Sequence, residues 1–187
     1  MKKTKLLNLI FSAMFLALGL VLPFLTGQIQ SIGNMLLPMH VPVILCGLIC
    51  GWQYGLTVGF VLPLMRSAVF SMPVMFPNAV SMAFELAAYG FISGFLFSRA
   101  KWKCLRSLYR CLIISMIGGR LVWGAVQAIL LGAGEFTFKA FAAGALLNAT
   151  PGIILQLILI PAVMLVLNKT HLVPMDKNHG GRKIEKA

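Results

Sequence analysis

The sequence predicts an all-α integral membrane protein: one bundle of six transmembrane helices with both termini cytoplasmic. Three observations predict it. Hydrophobic residues make up 59% of the 187-residue chain. Charged residues make up only 11%, against about 25% in a soluble domain. The charges that exist are gathered between apolar runs rather than spread along them. A soluble fold of this size lacks the polar side chains to cover such an interior, and disorder is excluded for the same reason. Lipid is the solvent that suits these apolar faces.

The elements follow from Pro, Gly and charge punctuation. The expected spans are 5–25, 38–52, 54–71, 77–98, 108–132 and 139–167. Lys2, Lys3 and Lys5 precede the first apolar run, as in a signal peptide. The run is long for that role and no small-x-small cleavage site follows, so it is read as a retained first helix. The second span is short for a bilayer of about 30 Å. It begins at Pro38 and contains Pro42, so it is expected to tilt, kink or re-enter. The last span is longer than needed, with Pro151 and Pro161 as expected kinks. Residues 1–170 form the membrane domain and 171–187 a polar cytoplasmic tail.

Sixteen Lys and Arg face four acids, a net charge of +12. Lys2, Lys3 and Lys5 lie in the N-terminal tail. Arg99, Lys101, Lys103, Arg106 and Arg110 lie between spans four and five. Lys169, Lys177, Arg182, Lys183 and Lys186 lie in the C-terminal tail. Six spans put these three regions on one side, which is then cytoplasmic. The basic excess reads as topology and contact with anionic lipid, not as a nucleic-acid footprint.

Three charges remain within the spans, Arg66, Glu85 and Arg120, with Lys139 at an outer helix start. Such groups are costly in a membrane unless they face a cavity or a partner. At about 1.5 Å per residue, Arg66 lies roughly 8 Å, Glu85 roughly 12 Å and Arg120 roughly 18 Å below the outer ends of their helices. Asn148 lies roughly 13 Å below Lys139 on the sixth span, and Asn34 and His40 sit near the outer mouth of the second. Tyr89, four residues past Glu85, and Trp123, three past Arg120, add aromatic surface. All fall in the outer half to midplane of the bundle. That asymmetry predicts a polar pocket open to the outside, with Asn34, His40, Arg66, Glu85, Tyr89, Arg120, Trp123 and Asn148 as candidate ligand contacts. The alternative is an internal Arg66–Glu85–Arg120 ion network that only locks the bundle.

Other signals are negative or structural. Cys46, Cys50, Cys104 and Cys111 form no C-x-x-C pair and read as small helix residues. No metal site is expected, since His40 has no Cys or acid near it in sequence. No P-loop, H-E-x-x-H or G-x-S-x-G motif is present, and no nucleophile–base set, so the chain is expected to be neither an ATPase nor an enzyme. No inverted repeat is visible. Ala13 and Ala17, and Ala79, Ala83 and Ala87, follow the small-x-x-x-small spacing that lets helices approach closely in lipid.

Five stretches carry a family resemblance: 33–51 (GNMLLPMHVPVILCGLICG), 54–59 (YGLTVG), 63–66 (PLMR), 83–90 (AFELAAYG) and 119–124 (GRLVWG). Together with the length, the spans and the basic termini, they resemble the substrate-binding S components of energy-coupling factor (ECF) vitamin transporters, over about residues 6–167. The resemblance implies capture of one water-soluble vitamin or related micronutrient near the outer face of the cell membrane. It implies partnership with a transmembrane T component and two cytoplasmic ATPases, which use the ATP; no cofactor is expected in this chain. It implies that Ala13 and Ala17 contact the T component and that the loop at 26–37 gates the site. Arg66 and Arg120 favour a carboxylate-bearing vitamin such as pantothenate or folate. A neutral ligand would require both arginines to be neutralised internally. The competing readings are a self-sufficient secondary transporter and a membrane enzyme or scaffold.

Overall fold

The computed structural model describes residues 2–26, 38–100, 104–131 and 150–169. Among them are six α-helices: α1 Lys2–Val21, α2 His40–Cys50, α3 Trp52–Phe70, α4 Val80–Arg99, α5 Leu105–Leu131 and α6 Thr150–Lys169. A 3₁₀ turn, Leu22–Thr26, continues α1, and a wide turn, Met75–Ala79, leads into α4. The all-helical class therefore agrees with the sequence reading.

Of the six expected spans, the second already expected to be short, four are met among the described residues. The segments Lys5–Phe24, Met75–Arg99, Leu105–Leu131 and Thr150–Lys169 are long and apolar enough to cross a membrane. The other two helices differ for separate reasons. α2 has 11 residues, about 16 Å of rise, or half a hydrocarbon core. α3 has 19 residues, but Gln53, Thr57, Arg66 and Ser67 dilute its apolar character and Pro63 lies inside it. The fifth helix starts earlier than expected, at Leu105, so Arg106 and Arg110 belong to its first turns rather than to a connection. The expected start of the sixth span, with Lys139, lies outside the described residues.

α2 is apolar all round because it is enclosed all round. Ten of its residues are buried, and it packs against α1, α3, α4 and α6. A helix with no polar face belongs in an interior. Gly51 alone joins α2 to α3, with φ +103°, a conformation that side-chain-bearing residues resist.

Small residues then let three backbones meet. A Cβ on Gly55 of α3 would lie 2.6 Å from the Gly47 Cα of α2 and 2.7 Å from the Gly90 carbonyl of α4. In lipid, where apolar side chains gain little from leaving the solvent, such close approach supplies the packing that holds helices together.

α1 is tied at both ends. Near its start, the Asn8 amide donates to the Cys50 carbonyl at 3.2 Å and the Tyr54 hydroxyl to the Lys5 carbonyl at 3.4 Å. Near its end, Arg66 of α3 donates to the Leu20 carbonyl at 3.0 Å. Between these ties Ser12, Phe15 and Gly19 face the bundle, while Ala13 and Ala17 face outward.

Candidate functional site

The site begins with a buried polar ridge on α4. Ser81, Glu85, Tyr89 and Ser93 recur every fourth residue, and each is at most 2% exposed. Residues at that spacing stack along one helix face, so α4 turns a line of hydroxyl and carboxylate groups into the bundle. Ser81 and Ser93 spend their hydroxyls on the local carbonyls of Asn78 and Gly90. Glu85 looks across to neighbouring helices.

Two helices answer it. From α5, Arg120 Nη1 approaches Glu85 Oε1 to 2.9 Å. From the first turn of α2, His40 Nε2 reaches the same oxygen at 3.5 Å. His40 is also set edge-on to Tyr89, with ring centroids 5.0 Å apart. The dipeptide Gly119-Arg120 explains how α5 comes so near. A Cβ on Gly119 would fall 2.8–2.9 Å from the Tyr89 ring. Glycine therefore makes room for the ring while its neighbour holds the acid one turn away.

The cluster is left with unmet bonding capacity. His40 Nδ1 and Nε2, Glu85 Oε1, and Arg120 Nε and Nη2 have no hydrogen-bond partner among the described residues. The contacts to Glu85 are thus ionic approaches rather than aligned hydrogen bonds. The free Nε and Nη2 of Arg120 form the side fork of a guanidinium, a geometry suited to a paired acceptor. Buried polar atoms are nearly always satisfied, so this concentration of unmet ones makes the cluster the candidate site among the described residues. Among the described residues no group of His, Cys, Asp or Glu is arranged to hold a metal.

Two further residues, not singled out from sequence, share this property. Gln127 on α5 and Gln156 on α6 are 8% and 1% exposed, with Oε1 and Nε2 respectively unpaired. Gln127 lies two turns beyond Arg120 on the same face of α5. Each amide interrupts a run of apolar residues, and that interruption was the available signal.

Arg66 is placed differently from the sequence expectation. No ion pair joins it to Glu85 among the described residues. It is buried, bonded to the Leu20 carbonyl, with its guanidinium 5.5 Å from the Phe24 ring centroid and 5.6 Å from that of Phe70. The two-arginine network is thus replaced by a His40–Glu85–Arg120 cluster and a separate clamp on α1. Trp123 is half-buried on α5 near Arg120. Asn34 and Asn148, and the expected gate at 26–37 beyond Thr26, lie outside the described residues.

A family model for the ECF transporter, substrate-specific component, matches residues 7–164. The chain belongs to that family. This S component is accordingly a multi-pass membrane protein and the substrate-specific subunit of an ECF transporter. No curated protein and no solved structure matches it.

Proposed function

We propose that this S component captures a small water-soluble micronutrient, a vitamin or a close relative, at the outer face of the cell membrane. The observation that carries the reading is the buried His40–Glu85–Arg120 cluster, drawn from three helices and left with unpaired donors and acceptors. Tyr89 forms its floor, and Trp123, Gln127 and Gln156 are candidates for its walls. Asn34 and Asn148 remain candidate contacts from the sequence. The chain binds without turnover and carries no cofactor of its own.

Delivery inward belongs to partners. We infer docking to a membrane T component through the outward face of α1 around Ala13 and Ala17, with two cytoplasmic ATPases supplying the energy. The basic residues at the ends of α4, α5 and α6 support a cytoplasmic placement of both termini. The preference for a carboxylate such as pantothenate or folate rested on two arginines facing one glutamate. With Arg66 engaged by α1, that support is reduced to Arg120, whose charge Glu85 already balances.

Mass spectrometry of ligand released from the purified full chain tests the capture reading, together with uptake into liposomes. The expected result is one bound micronutrient, and accumulation only when the T component, the ATPases and ATP are added. Uphill uptake by the chain alone on an ion gradient would make it a secondary transporter instead.

A further inference from the structure

We propose that the ligand of this site carries no net charge and presents both hydrogen-bond acceptors and donors, as a hydroxylated or amide-bearing small molecule does. The inference rests on the capture reading above and adds the electrostatic class of what is captured.

Charge is the first argument. Glu85 and Arg120 are one anion and one cation with atoms 2.9 Å apart. Among the described residues, His40 and Tyr89 are the other titratable groups beside Glu85. Arg66, buried on α3, is turned to the end of α1. A ligand carboxylate would therefore place a second anion beside a guanidinium that is already balanced. Burying net charge in a low-dielectric interior is strongly unfavourable unless a counter-charge is supplied. An uncharged ligand leaves the balance intact.

The mixture of unmet atoms is the second argument. Arg120 Nε and Nη2 are donors seeking acceptors; Glu85 Oε1 is an acceptor with no aligned donor. A carboxylate is acceptor-only. It would suit the Arg120 fork and leave the Glu85 oxygen facing like charge. A molecule with a carbonyl or ring nitrogen beside a hydroxyl or N–H satisfies both. Its acceptor takes the fork and its donor takes Glu85.

The test uses matched pairs on the purified full chain in lipid nanodiscs, with thermal shift and equilibrium dialysis as readouts. Panthenol is paired with pantothenate and nicotinamide with nicotinate. Pyridoxine and hydroxymethylpyrimidine extend the uncharged set; biotin and folate extend the anionic one. The expected result is that a compound from the uncharged set binds at least about tenfold tighter than any anion, a gap of about 1.4 kcal/mol. Its affinity should hardly change with ionic strength, and E85Q should weaken it by about tenfold or more. Preference for a carboxylate over its uncharged partner overturns the inference and leaves the capture reading standing. Binding of an uncharged compound that is indifferent to E85Q overturns the assignment of its donor to Glu85. Failure of both sets to bind sinks the capture reading, and the inference with it.

Discussion

Arg66 closes the C-terminal end of α1 by donating from Nη1 to the carbonyl of Leu20 at 3.0 Å. The last four carbonyls of a helix lack partners within it, and the dipole leaves negative charge there. A guanidinium meets both needs. Phe24 and Phe70, themselves edge-to-face at 4.9 Å, lie together against it, their ring centroids 5.5 and 5.6 Å from its central carbon. The residue therefore fastens α1 to α3, and it is expected to make no ligand contact. Arg66→Gln should destabilise the protein by about 1.5–3 kcal/mol, the cost of a buried bond to a charged donor. Arg66→Lys should recover part of that. Ligand affinity of the folded fraction should hold within about threefold for both. Thermal unfolding and dialysis on the same preparations measure the two effects, and a selective loss of affinity would return Arg66 to the site.

Glu85 and Arg120 should behave as a unit. Removing either charge strands the other in an interior, which costs about 3–5 kcal/mol. Glu85→Gln and Arg120→Gln should each lower the melting temperature sharply. The double variant should be less destabilised than the sum of the two, because no uncompensated charge remains. Ligand binding should stay weakened in the double variant. Additive melting losses would mean the two charges do not interact in the folded protein.

Glycines at two positions should fail in different ways. At Gly55 an added methyl group meets backbone, the Gly47 Cα and the Gly90 carbonyl. Gly55→Ala must push helices apart, and about 1–3 kcal/mol of stability should go with the overpacking. At Gly119 the methyl group meets the Tyr89 ring. A ring can turn, so Gly119→Ala should cost less stability but disturb the neighbours of His40 and Glu85. Thermal stability and ligand affinity, measured side by side, should separate the two variants.

Much of this was legible in the sequence, for identifiable reasons. Membrane class follows from composition, and Glu85 and Arg120 are conspicuous because charge is so rare in an apolar helix. Tyr89 follows from its spacing to Glu85. Other features depend on long-range geometry. Nothing local in His40-Val-Pro-Val tells that α2 is enclosed on all sides, so the sequence put His40 in the same outer pocket as Glu85 without showing that the two side chains meet. Arg66 looked equivalent to Arg120 because depth along a helix says nothing of azimuth; the two point to different partners. Gln127 and Gln156 were passed over because neutral amides stand out less than charges, though burial makes their unmet atoms as telling.

The outward face of α1 supplies the last prediction. Asn8 and Tyr54 fix one end of this helix and Arg66 the other, so its exposed side is presented by a braced rod. On that side Ala13 and Ala17 form a shallow strip among larger residues such as Ile10, Met14 and Leu18, which are 56%, 46% and 44% exposed. A strip of small side chains admits a partner helix to close range, where dispersion and weak backbone contacts hold it. Ala13→Trp or Ala17→Leu should fill the strip without touching the interior. Ligand affinity should then stay within about twofold, while recovery of the T component in pull-downs and ATP-dependent uptake should fall by about tenfold or more. Equal loss of binding and uptake would show that the substitutions act through the fold, and the docking face would have to be sought on another helix.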